Sequence, residues 1–304
     1  MRVAVTGGAG FIGSHVAGLL VDAGHEVHVV DDLRGGRNAV PGARLHAVAV
    51  SRWDPPARLG AVVHLAGPVG PVGVLSEAGR IVPAVVSDAL AVAGWALRAG
   101  CPLVYASTSE IYGPQGGACS ESLPRVTVAG HSARMEYAVA KLAAETMLLN
   151  TGGLDARVVR PFNVAGPRQR PEGGFVIPRF ARQALAGEPL TVYAPGTQLR
   201  AFTHVSDVAA GIVAMLDRGE PGLVCNLGNP DNLTTVADLA RLVLERSGSA
   251  SRVLVVDPAD LWGPGFREAA DKWPDASLAE ARLGWRARLP LSRIVDDALA
   301  ELRP

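Results

Sequence analysis

Tyr137 and Lys141 lie four residues apart in a stretch of helical periodicity, so the spacing places both on one helix face. An ammonium beside a phenol can lower the phenol's pKa, which lets such a pair move a proton as general base or acid. Tyrosine and lysine at this spacing also occur by accident in ordinary helices. Here, however, Lys141 and Lys272 are the only lysines among 29 basic residues. Arginine is this chain's usual cation, and it cannot replace a lysine whose task is to perturb a neighbour's pKa. A second constellation, Thr108-Ser109-Glu110, follows the apolar run 103–106. Hydroxyls and a carboxylate at the carboxyl end of such a strand lie where an open α/β sheet binds its ligand. Thr108 is expected to orient a reacting hydroxyl and Glu110 to act as acid or base, the alternative for Glu110 being a surface carboxylate at a strand end.

Near the start, Thr6-Gly7-Gly8-Ala9-Gly10-Phe11-Ile12-Gly13 connects a β-branched run to an apolar helical pattern. Gly7, Gly10 and Gly13 suit a tight turn, a close backbone approach to a pyrophosphate, and close packing of helix on strand. Asp31 follows the second strand about 20 residues on, placed to accept from a ribose hydroxyl and to repel a 2′-phosphate, so NAD is expected rather than NADP. Arg34 and Arg37 come close after it and are read as a solvated loop.

These residues need elements to hold them. Residues 3–5, 26–30, 45–50, 61–65, 103–106 and 156–159 read as strands, with helices over 15–23, 82–98 and 132–150. Strands alternating with helices imply an α/β fold of Rossmann type, a parallel sheet doubly wound with helices on both faces. After Arg160 a loop rich in Pro and Gly leads to a smaller mixed α/β C-terminal portion. There, helices are expected over 178–186, 208–216, 235–247, 278–283 and 291–302, with strands over 190–193, 202–205 and 224–227. The expected domains are 1–161 for the cofactor, with 196–228 returning to it, and 162–195 with 229–304 for the substrate. Twenty-nine acidic residues balance the 29 basic ones, which disfavours a nucleic-acid partner. The absence of an uninterrupted apolar run of about 18 residues disfavours a membrane partner. Three cysteines, far apart and outside any metal spacing, point to neither disulfides nor a metal site, and to a cytoplasmic location.

Together the motifs resemble the extended short-chain dehydrogenase/reductase superfamily, in its branch of NAD-dependent nucleotide-sugar epimerases, dehydratases and decarboxylases. The resemblance spans nearly the whole chain. It rests on the glycine loop, His64-Leu65-Ala66, Ser107 to Gly113, Tyr137 with Lys141, Arg160-Pro161-Phe162-Asn163 with Gly166-Pro167-Arg168, and Gln198 to Val205. It implies that Gly7, Gly10, Phe11, Ile12, Gly13, Asp31, Asp32, Leu65, Ala66, Tyr137, Lys141 and Pro161 hold NAD, and that Thr108, Ser109, Glu110, Tyr137 and Lys141 are catalytic. Asn163, Arg179, Gln198, Arg200 and Arg267 would bind a nucleoside-diphosphate sugar, expected to be UDP-linked, and arginine's planar fork suits the diphosphate.

Within that family Thr108-Ser109-Glu110, with Arg134 three residues before Tyr137, resembles the UDP-glucuronate branch. Dehydratases usually carry Asp where Ser109 stands, so elimination of water is disfavoured. Bacterial lipid-modifying decarboxylases usually carry arginine where this chain has Lys272. The expectation is therefore a 4-epimerase working through a 4-keto intermediate on a UDP-hexuronate or UDP-hexose, with UDP-glucuronate decarboxylation as the alternative and a non-catalytic NAD or nucleotide sensor behind both. Other departures are the lack of a carboxylate after the third strand, Ser87 or Asp88 where asparagine is usual, and a segment at 67–73 rich in Gly and Pro. The helices over 82–98 and 132–150 are expected to pair with a second copy as a four-helix interface, giving a homodimer.

Overall fold

The computed structural model describes residues 1–303 except 57, 69, 126–131, 258 and 261–270. Its largest layer is a seven-stranded sheet built from β1 (Arg2–Thr6), β2 (Glu26–Val30), β3 (Arg44–His46), β4 (Ala61–His64), β5 (Leu103–Ala106), β7 (Ala156–Pro161) and β12 (Val224–Leu227). The order is β12-β7-β5-β4-β1-β2-β3 and every pairing is parallel, as the alternating pattern predicts. A parallel sheet is covered on both faces, and β4 accordingly reads Ala-Val-Val-His with all four residues buried. Strand order reverses between β1 and β4, which opens a crevice at their carboxyl ends.

One face is covered by α1 (Phe11–Asp22), α6 (Val205–Arg218) and α8 (Ser277–Leu283), packed through residues such as Val16, Leu20, Ile212, Met215 and Leu283. The other carries α3 (Ile81–Ala99) and α4 (Ala133–Leu149), whose Val85, Ala89, Val92, Ala140, Ala144 and Leu148 meet Leu103 and Tyr105 of β5. By length and composition α3 is apolar enough to cross a membrane, yet one side of it forms this core. A third core joins α5 (Val176–Leu185), β9 (Leu190–Tyr193), α7 (Val236–Ser247) and α9 (Leu291–Leu302).

Between these cores runs a four-stranded mixed sheet, β13-β10-β15-β6, made of β6 (Gly117–Cys119), β10 (Leu199–Ala201), β13 (Leu233–Thr235) and β15 (Lys272–Pro274). Two parallel pairs complete the strands among the described residues, β8 (Val164–Ala165) with β11 (Thr203–His204) and β9 with β14 (Val253–Val256). Beneath β6 and β7 lies a charged network. Arg160, with no exposed surface, donates through Nε to Glu145 at 3.2 Å and through a terminal nitrogen to the Tyr112 hydroxyl at 2.8 Å. Tyr112 in turn donates to Asn226 Oδ1 at 2.7 Å.

Several expected boundaries move. The strand expected over 45–50 ends at His46, because β3 is an edge strand paired only with β2 and the chain turns away into a 3-10 turn at Val50–Arg52. The strand expected over 202–205 stops at His204, whose imidazole accepts from the Ser206 amide at 3.1 Å and caps α6. The segment at 67–73, expected as an unusual loop, instead starts a short helix, α2 (Gly70–Ser76), with Pro71 in the first turn, where its missing amide hydrogen breaks no helical bond. Cys101, Cys119 and Cys225 are free and buried.

Candidate active site

The crevice between β1 and β4 continues into a cleft of about 1500 Å³ lined from both halves of the chain. At its floor the glycine loop passes so close to β4 that a Cβ on Gly7, where φ is +68°, would stand 2.7 Å from the Ala66 nitrogen. A Cβ on Gly13 would stand 2.0 Å from the Gly7 carbonyl oxygen, so α1 packs against the loop only with glycine there. Gly10 precedes α1 without a side-chain cap, which leaves the helix N-terminus open to an anion. Gly7, Gly10, Phe11, Ile12, Gly13, Asp31, Asp32, Leu65, Ala66 and Pro161 all line this cleft.

Asp31 has a task the sequence did not announce. Its carboxylate accepts from the Ala9 amide at 3.0 Å and the Leu33 amide at 2.8 Å, tying the glycine loop to the end of β2. Burial raises its pKa. A carboxylate offers about four lone-pair sites, so two remain for a ribose. Asp32 receives Arg34 at 2.7 Å, and Arg34 also reaches Glu77 at 3.5 Å while remaining 75% exposed. Among the buried polar atoms without a partner are Ser107 Oγ, Gln169 Oε1 and Gln198 Oε1, and all three residues line the cleft. A cradle only glycine can form, an open helix N-terminus and unpartnered polar atoms are what a dinucleotide needs, and the residues fit NAD.

At the end of β5, Thr108, Ser109 and Glu110 enter a 3-10 turn over Ser109–Tyr112 in which the Glu110 amide donates to Thr108 Oγ1 at 3.2 Å. Tyr137, in the first turns of α4, hydrogen-bonds with the Thr108 side chain. The Lys141 ammonium donates to the Ala106 carbonyl at 2.9 Å and stands over the Tyr105 ring at 4.9 Å. Burial lowers its pKa to about 8. The phenol differs from expectation. Burial, aided by the Glu110 charge, pushes Tyr137 up to about 12 against the pull of the Thr108 hydrogen bond, so Lys141 does not by itself prepare a base. His64, beneath this pair, hydrogen-bonds Thr6 Oγ1 at 2.6 Å, and burial pushes it down to about 3, leaving a neutral ring.

Glu110 also departs from its expected role. Lys272 of β15 donates to its Oε1 at 2.6 Å and to the Ser109 carbonyl at 3.1 Å, while Arg134 donates to Oε2 at 2.5 Å. Burial alone would raise this carboxyl's pKa, but the two cations outweigh it and hold Glu110 well below the usual carboxylate range. A carboxylate closed between two cations is not a proton shuttle. Lys272 is the cleft residue missing from the expected site, and its signal was its rarity: both lysines of the chain line the cleft, Lys141 4% and Lys272 3% exposed.

The opposite wall comes from the mixed sheet and α5. Arg200 pairs in register with Lys272, and its guanidinium donates to the Leu199 carbonyl at 2.7 Å. Gln198 donates to the Tyr193 carbonyl at 3.1 Å, and Arg179 lies over the Tyr193 ring at 4.4 Å. Asn163, with φ of +34°, donates to the Ala201 carbonyl at 3.2 Å. All four line the cleft, whereas Arg267 lies outside the described residues.

Asp88, on the cleft side of α3, is pushed up to about 6, first by burial and then by Asp32, with Arg34 and Lys141 opposing. A carboxyl whose pKa is higher folded than unfolded costs stability as it ionises, so stability falls as pH rises from about 4 to 6. Asp88→Asn should therefore raise Tm at pH 7, with the gain over the parent closing as pH falls through 6 towards 4. Differential scanning calorimetry across that range checks it, and a gain that persists undiminished at pH 4 contradicts it.

Comparison with known proteins agrees with this geometry. A family model described as the NAD dependent epimerase/dehydratase family matches residues 3–228. The chain is 34% identical to UDP-glucuronic acid decarboxylase 1 of Xenopus tropicalis, over 95% of this chain and 69% of that protein. Among solved structures it is similar to UDP-glucose 4-epimerase of Thermotoga maritima with UDP-glucose, at TM-score 0.87 and 26% identity, covering 99% of this chain and 98% of that one. MoeE5 in complex with UDP-glucuronic acid and NAD matches at TM-score 0.83 and 30% identity, with the same coverage.

Proposed function

Because the chain belongs to the NAD dependent epimerase/dehydratase family, we propose that it is a nucleotide-sugar 4-epimerase acting on a UDP-hexuronate or UDP-hexose through a 4-keto intermediate. The observation that carries this reading is the locking of Glu110 between Lys272 and Arg134, which leaves Tyr137 with Thr108 as the proton-transfer group of the cleft. NAD, when bound, supplies reversible hydride acceptance. Thr108 holds the sugar 4-hydroxyl, and Tyr137 removes its proton as the carbonyl forms and gives it back as the carbonyl is reduced. Lys141 holds the ribose and lends positive charge to the phenol. Inversion follows when the sugar presents its other face between these two events. Arg179, Gln198 and Arg200 hold the diphosphate and base, as does Asn163 at the sugar. Loss of water lacks its acid, since Ser109 has no carboxyl and Glu110 stays ionised.

A second reading, decarboxylation of UDP-glucuronate, is favoured by the relative of that name and by the Lys272 ammonium. After a 4-keto acid loses carbon dioxide, the electron pair of the broken bond becomes an enolate whose carbon needs a proton, and Lys272 is a buried donor beside the catalytic turn. Proton NMR of UDP-glucuronate and UDP-glucose incubated with the protein, with and without added NAD, separates the readings. A galacto-configured product establishes epimerisation and UDP-xylose establishes decarboxylation. With both sugars unchanged the search moves to other nucleotides, and bound NAD without turnover over a broad panel of nucleotide sugars would leave a sensor.

The outward face of α3 supports pairing with a second copy, since its Leu90 and Leu97 are 57% and 41% exposed. Light scattering on a sizing column at micromolar concentration should give twice the chain mass, and a monomer there would remove this part of the proposal.

A further inference from the structure

Every helix begins with amide hydrogens that have no acceptor inside it, and α3 has none from its own cap, because Arg80 contributes no side-chain bond. The acceptor comes from another helix. Glu136 of α4 accepts through Oε2 from the Gly79 amide at 2.6 Å, and through Oε1 from the Ile81 and Val82 amides at 2.9 and 3.3 Å. An anion at the positive end of a helix is favoured in itself, and three amide donors add direction to that attraction. These bonds, the one from Gly79 foremost, hold the carboxyl's pKa below its ordinary value.

Glu136 is the residue directly before Tyr137. The same turn is held elsewhere by Ser132, whose hydroxyl accepts from the Met135 amide at 3.1 Å, and by Arg134 on Glu110. Arg134 and Tyr137 lie three residues apart and face the end of β5, whereas Glu136 points away from them towards α3. The turn is thus fixed from two directions, and Glu136 ties it by hydrogen bonds to the start of the helix that leads back through Gly79 to the cleft-lining α2.

We propose that Glu136 is a positioning residue for Tyr137: by capping α3 from α4 it holds the phenol at hydrogen-bonding distance from Thr108. The inference rests on Tyr137 being the proton-transfer group. The Thr108 hydrogen bond is what pulls the phenol's pKa down, so drift of this turn moves the pKa up as well as misplacing the oxygen. Displacement by about 1 Å is enough to cost a large factor in rate.

The test uses the full chain with NAD and whichever sugar it turns over, comparing Glu136→Ala, Glu136→Gln and Tyr137→Phe. Glu136→Ala should lower kcat about 10-fold or more, change KM less than about 3-fold, and move the acidic limb of the kcat–pH profile upward by half a unit or more. Glu136→Gln keeps an acceptor oxygen and should recover most of the rate. Tyrosinate absorbance in the NAD-loaded protein, with Tyr137→Phe subtracted, should titrate later in Glu136→Ala, and this readout needs no turnover. If Glu136→Ala only lowers Tm, with kcat, pH profile and tyrosinate titration unchanged, the proposal is wrong. If Glu136→Ala does not fold, Glu136→Gln decides through the same profile: a small upward shift supports positioning and none overturns it. Unimpaired turnover by Tyr137→Phe would instead refute the functional reading itself.

Discussion

Tyr137→Phe should lower kcat by a factor of about 10² or more while leaving NAD affinity within a few-fold of the parent, because a positioned acid or base contributes about 10² to 10⁴. The substitution removes one oxygen and keeps the ring, so packing at the start of α4 is preserved. The free chain holds this phenol at about 12, too high to be ionised at neutral pH, so its proton must be drawn off by the charges gathered around it. Lys141, lowered to about 8, is the cation of the chain placed to help, and that help is present below pH 8 and fades above it as the ammonium loses its proton. Single-turnover rates measured beside isothermal titration with NAD check the prediction, and a Phe variant with undiminished rate would require another base.

The largest loss of stability is expected at the carboxyl end of β7, beneath the cleft. Glu145→Ala should destabilise the fold by about 3–5 kcal/mol, the range found when one partner of a buried ion pair is removed and its charge is left unpaired. Glu145 is 2% exposed and Arg160 fully buried, so water cannot replace the lost carboxylate. The Arg160 guanidinium would retain Tyr112, and through it Asn226, but would lack the two-pronged partner that neutralises it. Removing both charges, as in Glu145→Leu with Arg160→Met, should restore much of the stability, since apolar replacements of whole buried pairs are often neutral. Guanidinium denaturation of the two variants beside the parent measures this. A loss below about 1 kcal/mol for Glu145→Ala would mean that the pair is far better hydrated than its burial suggests.

Legibility followed distance along the chain. The glycine loop, Asp31 and the Tyr137 to Lys141 spacing are local patterns, and each was readable because a turn, a strand end or one helix face fixes its geometry. The parallel sheet was readable for a related reason: strands buried on both faces are continuous apolar runs. What could not be read was pairing between distant segments. Lys272 meets Glu110 across 162 residues, through a three-residue strand too short to show a period. With that contact unseen, Glu110 looked like an acid, and its closure by two cations reversed the reading. Glu136 was equally hidden, because its partners are backbone amides, which have no signature in the sequence. The helix α2 was masked by the composition of its first turn, where Pro71 is a helix starter rather than a breaker.

The burial of both lysines has a consequence for chemical labelling. Reagents that acylate or reductively methylate side-chain amines find, on this surface of arginines, no exposed lysine to attack, because Lys141 and Lys272 face the cleft at 4% and 3% exposure. Apart from the N-terminus of the chain, amine labelling becomes a clock for cleft opening. Isotope-enriched methyl groups installed there would place two spectroscopic reporters at the reaction centre, with only the terminal amine's signal to set aside.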